Sequence, residues 1–385
     1  MPIYGFDETK SKFPVLDKST YDPAGKAGQI VIVPDIKPII LSDDITANPA
    51  IPVFYVMTAD SKTITLGTNV TAGVMATIYA KNAVSLTFDA DGGTVTDKLA
   101  AGEIRRLMFT GTYWNIEDDR DHNIPRIEPK DITAYFTDGS LWKRIHGTDG
   151  YKKFQDIYVG DYFNMGTTVR ASGSTTNLGT SWITVAGINT MMKRGYNSAA
   201  ITTDYVNYDH LVMIAGKGKT ALCFGDGQMY ASTPFTGGYT NSKMKTTILT
   251  NIDSQLNAIF STHLKSTWEL LSTANNSTSW GKYGSAAGAS TGWGWQRVKS
   301  VLLSEIEAYG SVSFGSTGFD IGSAMTQLPL FRHWPEALWD RDTQTSWWLK
   351  DVVTGSMFAA VYWPGTSTLI TAAIVCGVRP RFLIS

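Results

Sequence analysis

Hydrophobic and polar residues alternate with a period of two through residues 51–120. Because successive side chains of a strand point to opposite faces of its sheet, this alternation predicts strands with one buried face. The sequence Asp91-Gly92-Gly93 separates two of these runs and predicts a hairpin turn. We therefore predict a small all-β domain over residues 51–120. Apolar positions of its strands include Ile64, Leu66, Met75, Ile78, Val84, Leu86 and Phe88.

A helical period appears in the second half of the chain. Apolar residues recur at three- and four-residue intervals from Met244 to Phe260, which predicts one apolar stripe along a helix. The same spacing continues as far as Leu271, so the predicted helix extends to that residue. A second, shorter pattern over residues 298–306 predicts another helix, and the chain beyond residue 310 is predicted as short strands and loops.

Two further runs predict strands inside a sheet. The apolar run Phe382-Leu383-Ile384 follows the sequence Val378-Arg379-Pro380-Arg381. An unpaired apolar strand would expose these side chains to water, so we predict that the run is paired in a sheet. The sequence Trp347-Trp348-Leu349 predicts a second core strand. Both runs indicate a sheet that closes the C-terminal domain.

The predicted fold class is α+β, with four segments. Residues 1–50 contain six prolines and one strand-like run, 29–33, so we predict an extended attachment segment held by a partner chain or by the other copies of a trimer. Residues 121–150 contain prolines and short polar steps, which are typical of a neck or linker. Residues 151–385 are predicted as a domain of short strands and two helices.

Composition and charge exclude some classes of partner. The formal net charge is −1 and only 17% of residues are charged, so no field attracts nucleic acid or an anionic membrane. No apolar run reaches the roughly 18 residues that a membrane span needs, and we expect neither membrane insertion nor an export leader. Aromatic residues reach 12%, which indicates an adhesive surface. Cys223 and Cys376 leave two readings open: one bridge, or two buried thiols, the reading we favour.

Motifs for catalysis or cofactor binding are missing from the sequence. The run of residues 216–220, Gly-Lys-Gly-Lys-Thr, lacks the spacing of a phosphate-binding loop, and no CxxC, HExxH or GxSxG sequence occurs. The five histidines are scattered singly, whereas a zinc site needs at least three convergent ligands. We therefore expect no cofactor, no metal and no catalytic residue.

Two pairs of carboxylates are the candidates for a catalytic site that cleaves glycans. A glycosidase needs two carboxyl groups roughly 5–9.5 Å apart across one sugar. Glu305 and Glu307 are two residues apart on a predicted helix and diverge, so we interpret them as a solvated helix face. Asp340-Arg341-Asp342 lies in a tryptophan-rich loop. Three interpretations stay open for it: a surface ion cluster, a group that binds sugar hydroxyls, and a catalytic pair of aspartates.

Tryptophan is concentrated between residues 280 and 363, where eight of the twelve occur. Large rings with a polar atom serve both cores and interfaces. Those that lie among Gly, Ser, Thr and Pro residues fit a recognition loop better than a core strand. The candidate ligand-binding residues are Trp280, Trp293, Trp295, Trp334, Trp339, Asp340, Arg341, Asp342, Tyr362 and Trp363.

Six short segments carry a resemblance to a known family. As an ordered set they resemble the DUF6273-type, C-type-lectin-like domains that end many tail and receptor-binding proteins of bacteriophages and prophages, especially those of Gram-positive hosts. The resemblance covers roughly residues 150–385, and Lys350 stands where the family pattern has arginine. Residues 1–120 show a looser likeness to virion-anchoring segments of tail fibres. The segments are 238–244, 271–274, 302–310, 327–331, 347–351 and 377–380.

The resemblance implies a lectin-like scaffold with binding loops between its motifs. It also implies that Glu305 and Arg379 are structural, since a buried arginine beside a glutamate can hold two elements together. The short calcium-ligand motifs of sugar-binding C-type lectins are missing from the sequence. Calcium-dependent sugar binding is therefore not expected.

The function predicted from these observations is attachment of a virion to a host cell-surface glycan or protein. Residues 1–50 would dock to phage baseplate or tail proteins, and the small β-domain with the neck would form a homotrimer. The first alternative is a tail-associated glycan depolymerase that uses Asp340 and Asp342. The second is a purely structural baseplate component.

Overall fold

The computed structural model describes residues 38–90, 93–99, 101, 104–116, 122–173, 179–194, 205–275, 290–315, 326–339 and 345–385. Within these ranges the protein is a mixed α+β chain, mostly strands with a few short helices, as the sequence predicts. The strands are β1 Ile39–Leu41, β2 Ile45–Ala47, β3 Val53–Met57, β4 Lys62–Leu66, β5 Met75–Ala80, β6 Val84–Ala90, β7 Gly93–Leu99, β8 Ile104–Phe109, β9 Trp114–Ile116, β10 Tyr162–Val169, β11 Thr180–Ile188, β12 Leu211–Lys217, β13 Thr220–Ala221, β14 Asp226–Gln228, β15 Leu264–Lys265, β16 Thr267–Asn275, β17 Ser290–Val298, β18 Ser300–Leu302, β19 Trp347–Val352, β20 Met357–Val361, β21 Ser367–Thr371, β22 Val375–Gly377 and β23 Pro380–Ile384. The helices are α1 Thr133–Thr137, α2 Ser140–His146, α3 Leu249–Phe260, α4 Glu305–Tyr309 and α5 Pro329–His333.

The chain divides into two compact units. The smaller unit consists of residues 1–119 with 148–152, and the larger unit of residues 120–147 with 153–385. Residues 121–147, predicted as part of a neck, contain α1 and α2 and belong to the larger unit. The predicted strand at 29–33 lies outside the described residues. None of the described helices is long and apolar enough to span a membrane.

In the smaller unit the chain coils between two sheets. Strands β1, β3 and β5 pair in parallel in sheet A, and β2, β4 and β6 pair in parallel in sheet B. Strands β1 to β6 therefore alternate between the sheets, whose order is β1-β3-β5-β8-β9 in sheet A and β2-β4-β6-β7 in sheet B. The predicted hairpin is confirmed, since β6 and β7 pair antiparallel with Ala90 opposite Gly93.

Period-two alternation accounts for the core of this unit. Ile64, Leu86 and Phe88 are buried, as predicted, because their side chains point into the space between the sheets. The prediction for Met75 is wrong: its side chain is 39% exposed. Alternation from Ala76, which is buried, places Met75 on the outer side of sheet A.

Strand β23 lies inside the seven-stranded sheet of the larger unit. It pairs antiparallel with β12, β15 and β18, and each of its residues is buried. A second, five-stranded sheet has the order β14-β22-β19-β20-β21. In this sheet Trp347 and Trp348 of β19 are fully buried, and their indole N–H groups donate to the carbonyls of Leu338 and Gly227. Both predicted core strands are therefore confirmed.

The predicted helices are only partly confirmed. The first begins with a π-helical segment, Met244–Ile248, and continues as α3, but it ends at Phe260. Its predicted extension to Leu271 is wrong, because β15 and β16 occupy that stretch and alternate residues of β16 face inward. The second pattern divides into β18 and the short helix α4. There a strand and a helix place apolar residues at spacings that together resemble one helical stripe.

Both cysteines are free and buried in the structure. This agrees with the second of the two readings. Burial raises the pKa of the Cys376 thiol to about 12, so this thiol stays protonated and unreactive near neutral pH.

His210 is a buried neutral histidine in the larger unit. Its Nδ1–H donates to the Tyr208 carbonyl at 2.9 Å, and Nε2 accepts from the Met191 N–H at 3.1 Å. Burial is the largest cause that lowers the pKa of His210, to about 4. The imidazole is therefore a structural link between two backbone segments.

We expect the pKa of His210 to make the folded state less stable in acid. Between about pH 6.5 and 4 the unfolded chain binds a proton at this histidine and the folded chain does not, so stability falls as pH falls, by up to roughly 3 kcal/mol. Burial raises the pKa of Asp161 to about 6, and this group acts with the opposite sign below that pH. Urea unfolding of the parent and His210→Gln proteins isolates the histidine. The prediction fails if both show the same pH slope between these limits.

Candidate functional site

Three exposed aromatic rings form the candidate site, here called the aromatic patch. Trp339, Tyr362 and Trp363 are 39%, 46% and 40% exposed. The Tyr362 and Trp363 ring centroids lie 6.2 Å apart with the planes tilted by 56°. Such exposure is costly for residues of this size, which suits surfaces that bind a partner.

A tight turn between β20 and β21 presents two of these rings. The Tyr362 N–H donates to the Thr366 carbonyl at 2.8 Å, and the Gly365 N–H donates to the Tyr362 carbonyl at 2.7 Å. Pro364 fixes one backbone angle of the turn, and Gly365 adopts φ +90°, which other residues avoid. The turn therefore holds Tyr362 and Trp363 on a rigid base.

The third ring lies against this turn. Trp339 follows the 3-10 helix Pro335–Leu338, and its indole approaches Gly365 so closely that a Cβ there would lie 2.0 Å from Nε1. The Trp339 carbonyl accepts a hydrogen bond from the Ala221 N–H at 3.4 Å. Two segments that are distant in the sequence thus form one patch, and both were predicted as candidate site segments.

We expect Gly365→Ala to displace Trp339 and to reduce stability and ligand binding together. The new methyl group would occupy the position of the indole, in addition to about 1–2 kcal/mol of backbone strain. Gly166→Ala is the matched control, because Gly166 has φ +75° and open space around its Cβ position. Urea unfolding should show a larger loss for Gly365→Ala than for Gly166→Ala. Equal losses would show that the contact with Trp339 has no importance.

Trp334 does not belong to the patch. Its side chain is buried, at 9% exposure, and the ring packs against Gly160, where a Cβ would lie 1.9 Å from the indole. The Lys219 ammonium lies 4.9 Å from the ring centroid. The prediction of Trp334 as a binding residue is therefore corrected to a core residue.

Trp293 and Trp295 lie on a different element, the β16–β17 hairpin. They are half-buried and pair with Ser272 and Leu270, so their side chains share one face of the hairpin with that of Trp268. We call this the hairpin face. The remaining predicted site residues, Trp280, Asp340, Arg341 and Asp342, lie outside the described residues.

The two predicted helical carboxylates are buried, not solvated. Glu305 Oε2 accepts from the N–H groups of Ser313, Phe314 and Gly315 at 3.2, 2.9 and 2.9 Å. Its Oε1 accepts from the Ser367 hydroxyl at 2.8 Å. Ser367 begins β21 directly after the aromatic turn, so Glu305 links that strand to the 313–315 loop.

Glu307 belongs to a buried ion cluster. Its Oε1 accepts from Arg381 Nε at 2.6 Å, and Arg381 Nη2 lies 2.8 Å from Glu269 Oε1. Arg194 contacts both carboxylates, and Lys350 Nζ lies 3.7 Å from Glu269 Oε2. These five side chains are the ion cluster. The resemblance implies structural roles for Glu305 and Arg379, and both are buried, but the glutamate–arginine contact in this cluster is between Glu307 and Arg381.

The electrostatics of the ion cluster do not suit a proton donor. Burial alone would raise the pKa of Glu269 and of Glu307, but the surrounding cations outweigh it and hold each pKa below its ordinary value. Both carboxylates stay ionised at neutral pH, whereas a catalytic acid needs a raised pKa. Arg379 donates to the carbonyls of Ala215 and Ala337 at 2.8 and 2.7 Å, so it links backbone segments.

Among the described residues, no group of three or more His, Cys, Asp or Glu side chains could hold a metal ion. No protein-family profile, curated protein or solved structure matches this chain.

Proposed function

We propose that this protein is a receptor-binding protein of a bacteriophage tail. A C-type-lectin-like domain within residues 151–385 attaches the virion to a glycan or protein on the host surface, and residues 1–50 join the protein to the tail or baseplate. The observation that carries the proposal is the aromatic patch. Three rings are exposed by 39–46%; a hydrogen-bonded turn presents Tyr362 and Trp363, and Trp339 packs against Gly365 of the same turn.

The binding mechanism follows from the chemistry of the rings. The faces of Trp339 and Trp363 offer flat apolar surface on which the C–H face of a sugar ring or an apolar side chain can pack. Their indole N–H groups and the Tyr362 hydroxyl can orient polar groups of the ligand. Rings on a rigid turn lose little conformational entropy on binding, so more of the contact energy is retained.

The full chain, fluorescently labelled, tests the proposal. It is applied to arrays of bacterial wall polysaccharides, teichoic acids and surface proteins, and to Gram-positive cells, with the unlabelled chain as competitor. Saturable binding supports the proposal. A chain that binds neither arrays nor cells, yet assembles with tail proteins, would support the structural alternative, and the release of reducing sugar ends would support the depolymerase.

A further inference from the structure

The two sheets of the smaller unit have outer faces of opposite composition. On sheet B, every residue of this face is polar: Thr46, Thr63, Thr65, Ser85, Thr87, Asp89, Thr94, Thr96 and Lys98. On sheet A, most are apolar: Ile40, Phe54, Val56, Met75, Tyr79, Ile104 and Met108, with Thr77 and Arg106. Both faces belong to one two-layer fold, so the core does not require this difference.

The apolar residues of sheet A form a continuous surface. Strand register places Ile40, Val56, Tyr79 and Ile104 side by side in one row across β1, β3, β5 and β8. At the ends of the row, Ile40 is 61% and Ile104 54% exposed. Soluble antiparallel or mixed sheets usually place polar residues on such a face, and a larger apolar patch indicates an interface.

We propose that copies of this chain associate through the outer face of sheet A. Four strands spaced by about 4.8 Å, and about five residues along each strand, give the face a projected area of roughly 300 Å². Two such faces in contact bury roughly 600 Å² of projected area, which is below the roughly 1,200 Å² of accessible area that stable specific interfaces bury. The area therefore suits a weak self-association that is populated only at high protein concentration.

The charge of the face favours a second copy over other occupants. Arg106 is the one charged side chain on the face as the structure describes it, and no carboxylate accompanies it. A nucleic acid, a charged peptide or a polar glycan would lose hydration there without gaining polar partners. A face of the same composition has no such cost, and interfaces between identical chains are the more apolar class.

Analytical ultracentrifugation of the full chain over a range of concentrations tests this proposal. We expect an integer multiple of the chain mass, and dissociation at least about tenfold easier for Ile104→Lys, because a lysine would be buried in an apolar contact. Thr87→Lys introduces the same charge on the outer face of sheet B and should associate like the parent. Circular dichroism verifies that each variant is folded.

A second variant keeps the test independent of lysine's effect on folding. Ile104→Thr retains a β-branched residue suited to the strand but removes apolar surface, so it should also weaken association. A parent chain that remains monomeric would overturn the proposal and leave the face to another partner. Equal association of Ile104→Lys and the parent, or equal weakening by Thr87→Lys, would overturn it as well. A chain that associates as expected but does not bind cells would contradict the proposed binding by the aromatic patch and would leave the self-association proposal supported.

Discussion

Glu269→Gln should destabilise the larger unit by about 3–5 kcal/mol, the usual cost of breaking a buried ion pair by removing one charge. The substitution keeps the size and shape of the side chain, so it tests charge rather than packing. Arg194, Arg381 and Lys350 all contact this carboxylate, and its loss leaves three buried cations around Glu307. Urea unfolding at pH 7, followed by tryptophan fluorescence, measures the change. Every tryptophan except Trp114 lies in the larger unit.

Glu128→Gln is the matched control for this prediction. Glu128 forms an ion pair with Lys219 at 3.3 Å, but its side chain is 78% exposed. Exposed pairs contribute about 0–1 kcal/mol, so the control should unfold almost like the parent. Similar losses in both variants would show that burial adds nothing to the ion cluster.

The effect of Glu269→Gln should also depend on pH in a fixed direction. The folded state holds the pKa of Glu269 below its ordinary value, so the carboxylate stabilises the fold above its unfolded pKa of about 4.3. This contribution is lost as pH falls through the lower, folded pKa. The difference between variant and parent should therefore shrink in acid.

The ion cluster also shows what local pattern cannot predict. Glu305 and Glu307 were predicted to lie on a solvated helix face, because side chains two residues apart on a helix diverge. Their burial depends on partners such as Arg381 and the 313–315 backbone, which only the tertiary fold brings near. Glu269 is a further example. It lies on the inner face of strand β16, but the helical spacing of nearby apolar residues predicted a helix there.

Alternation predicted the strands within residues 51–120, but not their pairing, and it missed β1 and β2, which lie in the segment predicted as an extended attachment. A period of two tells which side chains face inward, and Ile64 and Leu86 are indeed buried. It does not tell which strands are neighbours. The parallel pairing of these two residues is set by the length of the connection between them and by the complementarity of whole sheets.

Composition predicted part of the candidate site for a physical reason. Tyr362 and Trp363 lie beside proline and glycine, and such residues form turns that cannot bury large rings. Trp334 also lies beside a proline, yet it is buried, because Gly160 leaves space for its ring. That space is supplied by a segment far away in the sequence, and no local signal indicates it.

Under the proposed function, Trp363→Ala should weaken binding of the chain to a host-surface ligand by about 30-fold or more, which corresponds to roughly 2 kcal/mol for a central aromatic contact. The ring is 40% exposed, so its loss should change the unfolding midpoint little. Trp363→Phe retains an aromatic face without the indole N–H and should keep most of the affinity. Titration of labelled protein against the array or cell type that binds the parent measures the affinities of the parent, Trp363→Ala and Trp363→Phe.

Trp295→Ala decides which aromatic surface carries the binding. Trp295 lies on the hairpin face, opposite Leu270, and is half-buried, so its truncation also removes aromatic area from the surface. If the aromatic patch is the site, this variant binds like the parent while Trp363→Ala does not. The reverse result would move the site to the hairpin face, since the ring whose removal abolishes binding must be the one that the ligand contacts.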